Sequence, residues 1–264
     1  MHHQRIQLPH CHMDAYVPTL KTAPGVKRPS VVICPGGGYQ HLSDREAEPI
    51  ALVFASMGFN AFVVWYRISP NRHPAALHDV ASAVAWVRAH AEEFCAKEDA
   101  IAVMGFSAGG HAACSLGVFW PNDALMGEAG LTSEAVRPDA MVLCYPVITA
   151  GRFAHRGSFV HLTQSEDLSI HQDFSLEDHV TGKTPPTFLW HTFEDGAVPV
   201  ENTLLMASAL RRNGVLTEVH IFPHGGHGLA LANPLTSTSP EQNIPECAMW
   251  PEYAARFLRD VMMK

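Results

Sequence analysis

No surplus of positive charge, no long apolar run and no closely spaced cysteine pair occurs in this sequence, and each absence removes a class of function. Lys and Arg number 18 against 26 Asp and Glu, a formal net charge of −8. Phosphate backbones are bound by basic patches, so a nucleic-acid partner is not expected. No stretch of about 18 apolar residues exists, so neither a membrane span nor a membrane partner is expected. The opening MHHQRIQLPH has no apolar segment of signal-peptide length, which points to a cytoplasmic protein. The six cysteines form no CxxC and no Cys/His set with zinc spacing. Reduced thiols and no bound metal are the expectation. The one run of three glycines, Gly36–Gly38, lacks the Gly-Lys-Ser/Thr ending of a phosphate loop, and no cofactor is expected.

What is present is material for a large core. Hydrophobic residues make up 47% of 264 positions and charged ones 17%, which suits one α/β domain of this length. Short β-branched runs alternate with longer helical stretches, the pattern of a mostly parallel sheet with helices on both faces. Strands are predicted at 30–34, 60–66, 100–104, 140–145, 187–192 and 217–222. Helices are predicted at 45–57, 75–94, 107–118, 200–212 and 248–262. Residues 148–186 lack strong periodicity and carry several histidines. A stretch so long is read as a cap or insertion on a single domain spanning 1–264.

Gly105-Phe106-Ser107-Ala108-Gly109 matches G-x-S-x-G, with an apolar strand before it and a small-residue helix after it. That context is the strand–turn–helix bend that exposes a nucleophilic serine at the carboxyl edge of a sheet. Glycines two residues either side remove Cβ atoms that would clash in so tight a turn. A serine hydroxyl needs a base, and the base needs an acid to orient it. Two later strands end in suitable loops. Phe193-Glu194-Asp195-Gly196 follows the first, and Pro223-His224-Gly225-Gly226-His227-Gly228 follows the second. Asp195 is preferred over Glu194 because it is shorter and Gly196 frees the turn. His227 is preferred over His224 because glycines flank it. The tetrahedral oxyanion needs backbone donors. Ala108, directly after the serine, and Gly37 and Gly38 of the 35–39 tract are the candidates.

With those residues in hand, the chain resembles the acetyl-xylan-esterase-like, carbohydrate-ester-hydrolase branch of the α/β-hydrolase superfamily. The resemblance runs from about Ser30 onward and rests on PGGGY at 35–39, REAEP at 45–49, WYR at 65–67, GFSAGGHAA at 105–113, RPDAMVLCYPVIT at 137–149, WHTFEDGAVPVENT at 190–203 and FPHGGHGLAL at 222–231. It implies Ser107 as nucleophile, Asp195 as acid and His227 as base, in agreement with the reading from the residues. It also implies an ester substrate with a short acyl group, in particular an acetylated small sugar or xylo-oligosaccharide. Pro35 stands where lipase-type enzymes carry His, which weakens a lipase assignment. A general short-chain carboxylesterase and a peptidase or amidase of the same fold are the alternatives. A homo-oligomer is compatible with the sequence. Tyr39 and Phe106 are expected to flank the substrate pocket. His111 and His191 are expected to be satisfied structural histidines, and Arg67 with Asp79 a structural pair.

Overall fold

The computed structural model describes residues 1–19 and 26–263. Strands β1 (His2–Gln7), β2 (His12–Val17), β3 (Arg28–Cys34), β4 (Asn60–Trp65), β5 (Ala96–Phe106), β6 (Ala140–Cys144), β7 (Thr187–Thr192) and β8 (Thr217–Phe222) form one sheet. Its order is β1-β2-β4-β3-β5-β6-β7-β8. The six strands from β3 onward pair parallel, whereas β1 and β2 are antiparallel to their neighbours. The helices are α1 (Glu48–Ser56), α2 (Ala75–Ala89), α3 (Ala108–Phe119), α4 (Asp123–Gly127), α5 (Ser133–Val136), α6 (Arg156–Thr163), α7 (Leu168–Gln172), α8 (Glu201–Arg212) and α9 (Trp250–Met262).

Parallel strands joined by crossover helices are covered on both faces, so their runs are mostly apolar. β3, β6 and β7 are accordingly buried along their whole length. Two cores result. Val80, Val84, Leu116 and Phe159 pack on one face, and Phe54, Phe106, Trp190 and Trp250 on the other. Among the described residues, no helix is long and apolar enough to cross a membrane.

The N-terminal hairpin β1–β2 was not foreseen. β1 buries a single residue, Ile6, so its sequence has no apolar alternation to read. β2 buries Asp14, which Arg5 reaches from the facing position at 2.8 Å and Trp65 Nε1 at 2.8 Å. The helix expected at 45–57 divides instead into a 3-10 turn at Asp44–Glu46 and α1, with the break at Ala47. That break turns the Glu46 side chain into the protein. The helix expected to reach residue 94 stops at Ala89, before a turn that places Cys95 at φ 49°. Residues 148–186 hold α6, α7 and a 3-10 turn at Leu176–Asp178. His161 Nδ1 of α6 donates to the Gly38 carbonyl at 2.9 Å, which joins this segment to the glycine tract.

Candidate active site

The carboxyl edge of the parallel strands gathers the predicted side chains. Ser107 follows β5 directly and adopts φ 53°, ψ −120°, a region that costs an L-residue strain and persists only where the surroundings impose it. The imposition is visible. Ser107 N–H donates to the Cys144 carbonyl at 3.0 Å, and the Ser107 carbonyl accepts Val147 N–H at 3.0 Å. The flanking glycines are sterically required. A Cβ on Gly105 would collide with the Gly109 carbonyl, and one on Gly109 with the carbonyl oxygens of Cys34 and Pro35.

Ser107 Oγ lies 2.7 Å from His227 Nε2, and His227 Nδ1 lies 2.6 Å from Asp195 Oδ2. An acceptor on the Nδ1 side fixes the proton there, so Nε2 is left to accept the serine hydroxyl. Exposure falls along the chain of contacts, from 24% for the His227 side chain to 0% for that of Asp195. Burial pushes the Asp195 carboxyl up. Hydrogen bonds from His191 and His227, the His227 charge and the Val198 N–H outweigh it and hold the group well below the usual carboxylate range. Its other oxygen, Oδ1, accepts the N–H groups of Ala197 and Val198 at 3.0 and 2.9 Å.

Glu194, the neighbouring acid, faces outward. It accepts His224 Nδ1 at 2.9 Å and Gly225 N–H at 3.0 Å, and so clips the two loops together at the surface. Thr192 Oγ1 donates to the Gly225 carbonyl at 2.7 Å and braces the same loop from below.

Gly37, Gly38, Ser107, His155, His161 and His227 are among the residues around a cleft of about 490 Å³. Every side chain lining it is polar or belongs to glycine. No hydrogen bond within the described residues engages the N–H of Gly37, Gly38 or Ala108. Gly37 and Gly38 have φ of 127° and 65°, which glycine alone adopts freely.

Sequence reasoning misplaced two residues. Tyr39 does not reach the cleft: its ring is buried, and its hydroxyl meets His111 Nδ1 at 2.9 Å. Phe106 is also buried, among Tyr145 and Trp250, because it alternates with Ser107 to the opposite face of the bend. His111 and His191 are buried and hydrogen-bonded. Arg67 grips Asp79 at 2.9 Å across the end of β4 and α2. The reading passed over Glu46, Tyr145 and His155. Buried Glu46 accepts Gly36 N–H at 2.8 Å and the Tyr145 hydroxyl at 2.7 Å, while Tyr145 Oη accepts Ala230 N–H at 2.9 Å. The Tyr145 ring stands edge-on to His227 with centroids 5.2 Å apart. REAEP was the available signal for Glu46, but only the fold brings it beneath the glycine tract. His155 faces the cleft from the segment before α6, where burial and then the His227 charge lower its pKa.

This parallel sheet, bend and loop order define the α/β-hydrolase fold. The chain belongs to the BD-FAE family, whose model matches residues 13–210. It is 39% identical over 216 residues to endo-1,4-beta-xylanase B of Butyrivibrio fibrisolvens, covering 79% of this chain and 33% of that protein. It is 30% identical over 206 residues to the acetylxylan esterase of Xylanibacter ruminicola, covering 75% and 40%. The chain thus spans a third to two fifths of these relatives. The crystal structure of an acetyl ester-xyloside bifunctional hydrolase from Caldicellulosiruptor lactoaceticus superposes with a TM-score of 0.81 at 38% identity, covering 95% of this chain and 88% of that one.

Proposed function

We propose that this chain is a serine-dependent carboxylic-ester hydrolase that removes short acyl groups, acetyl above all, from small hydroxylated molecules such as acetylated sugars. The observation that carries the reading is the unbroken run of contacts from Ser107 Oγ to His227 at 2.7 Å and from His227 to Asp195 at 2.6 Å.

Ser107 Oγ attacks the ester carbonyl while its proton passes to His227 Nε2. Asp195 stabilises the imidazolium without taking the proton. The oxyanion is received by the N–H groups of Ala108, Gly37 and Gly38. Collapse breaks the ester C–O bond, and the departing alkoxide takes the proton from His227. Water, deprotonated by the same imidazole, then attacks the acyl-serine and regenerates the hydroxyl. The base must be neutral, so the rate rises with pH on the acid side.

The cleft supports the substrate class. A long acyl chain needs apolar walls, and the lining is glycine, serine, glutamine, histidine, arginine and glutamate. Such groups hydrogen-bond a hydroxylated alcohol. The relatives named for xylan and acetyl-ester chemistry agree with this choice.

A fluorophosphonate probe should label Ser107, and Ser107→Ala should lose activity by a factor on the order of 10⁴ to 10⁶. On nitrophenyl esters, kcat/KM should fall steeply from acetyl through butyryl to octanoyl. Comparable rates on octanoyl and acetyl esters would overturn the short-acyl assignment, and full activity in Ser107→Ala would overturn the mechanism.

A further inference from the structure

The mechanism above uses one imidazole on Asp195, but the carboxylate holds two. His191 lies in β7, four residues before Asp195, with both side chains fully enclosed. Its Nε2 is 3.1 Å from Asp195 Oδ2 and 3.0 Å from the Val198 carbonyl oxygen. Both partners accept, so Nε2 carries the proton. Nδ1 is 2.8 Å from Thr203 Oγ1 on α8 and accepts that hydroxyl. Asp195 Oδ2 is therefore shared between His227 and His191, while Oδ1 is pinned by two backbone N–H groups.

A histidine kept only for packing would be satisfied by Val198 and Thr203. Sharing Oδ2 does something further. Two backbone donors hold one oxygen, and without His191 the only donor on the other would be the ring that moves through the catalytic cycle. We propose that His191 is a positioning residue that acts through Asp195: it locks the carboxylate plane and divides the Oδ2 charge between two imidazoles, which moderates the basicity of His227. The inference rests on the triad reading above.

The other titratable groups near the pair do not replace it. His155 faces His227 from the segment before α6, and the Tyr145 ring stands beside it, tied to Glu46. Glu194 and His224 pair with one another at the surface. Among the described residues, only His191 and His227 place side-chain donors on Asp195.

The sign of the effect follows from charge. With the second donor removed, the whole Oδ2 charge faces His227 and favours its protonated form, so the acid limb of the kcat/KM profile moves to higher pH. His191→Leu should shift that limb upward by about half to one unit and lower kcat roughly 10- to 100-fold, with KM little changed. His191→Gln, whose amide N–H can reach Oδ2, should restore most of the loss. If His191→Leu fails to fold, Thr203→Val decides the matter. It keeps the ring but frees its tautomer, and should move the limb in the same direction by less. A lower melting temperature with kcat and the acid limb unchanged, in whichever of these variants folds, would overturn the proposal. Ser107→Ala assayed alongside separates the two readings: activity retained there would overturn the triad itself, whatever His191 does.

Discussion

In the proposed reaction, Ser107 is the point at which backbone strain meets the chemistry. Its left-handed φ of 53° is imposed by hydrogen bonds to Cys144 and Val147 and by glycines whose Cβ atoms would collide. The two adjacent acids on the 193–196 loop make a contrast of burial. Asp195 is enclosed and touches His227; Glu194 is exposed and touches His224. Asp195→Asn should therefore lower kcat by about 10³ to 10⁴ through the wrong His227 tautomer, whereas Glu194→Gln should cost less than about tenfold. Parallel kinetics on the two variants check this, and the reverse order would move the acid to Glu194. Glu46 offers a second test. Its carboxylate accepts from Gly36 and from Tyr145, and a glutamine has one acceptor oxygen for those two donors. Glu46→Gln should destabilise the fold by about 1–3 kcal/mol in urea titration, the usual cost of a stranded buried donor. It should also lower kcat, because Gly36 anchors the tract that supplies Gly37 and Gly38. Unchanged stability and rate would show that this carboxylate holds nothing.

At the scale of elements, the segment with α6 and α7 rests on aromatic and imidazole rings. His111 of α3 packs edge-on to Phe159 and bonds the Phe174 carbonyl, while His73 meets the Phe174 ring with centroids 4.7 Å apart. Burial lowers both imidazoles to about 4 from 6.5; the His78 charge adds to this for His73, and the Phe174 carbonyl opposes it for His111. The folded protein then binds protons less readily than the unfolded chain, so stability rises with pH. The contribution is complete above about 6.5, is lost as pH falls from there towards about 4, and levels off below. Each group accounts for at most about 3 kcal/mol over that window. Asp195 acts in the same sense at lower pH: its folded value is also depressed, and its contribution is lost only below about pH 4. Thermal melts at pH 7 and pH 5 should therefore differ through the histidines, with a lower melting temperature at pH 5. His111→Gln should flatten the dependence. Equal melting temperatures at the two pH values would refute the assignment.

At the scale of the whole molecule, charge and histidine content act together. Formal net charge is −8 with the 17 histidines neutral, and an ordinary imidazole gains charge at a pH where carboxylates are still ionised, although His73 and His111, lowered to about 4 by burial, take no part in this. The sequence pI is about 6.1. Repulsion between copies vanishes near that value, so light scattering against pH should show a maximum near pH 6 that added salt changes. A flat profile from pH 5 to 8 would contradict the argument.

The strands from β3 to β8, the serine bend and the Ser–Asp–His order were legible in the sequence because each is local. A buried parallel strand is a short apolar run, a tight bend needs glycines at fixed offsets, and a loop at a strand end is marked by its residues. The hairpin β1–β2 was not legible, since Asp14 looks like a surface residue until Arg5 is seen to pair with its charge and Trp65 to donate to it. Tyr39 and Phe106 could not be placed either, because residues beside a bend point to opposite sides and only the packed sheet decides which side meets the cleft. Glu46 and Tyr145 lie 99 positions apart and His191 lies inside a strand, so no local pattern links them to the reacting atoms. The sequence by itself determined the fold class and the residue types at the carboxyl edge, for periodicity and turn chemistry act over a few neighbours. Only the tertiary structure decided which buried donors meet which acceptors, because those partners are joined by the closing of the sheet and not by the chain.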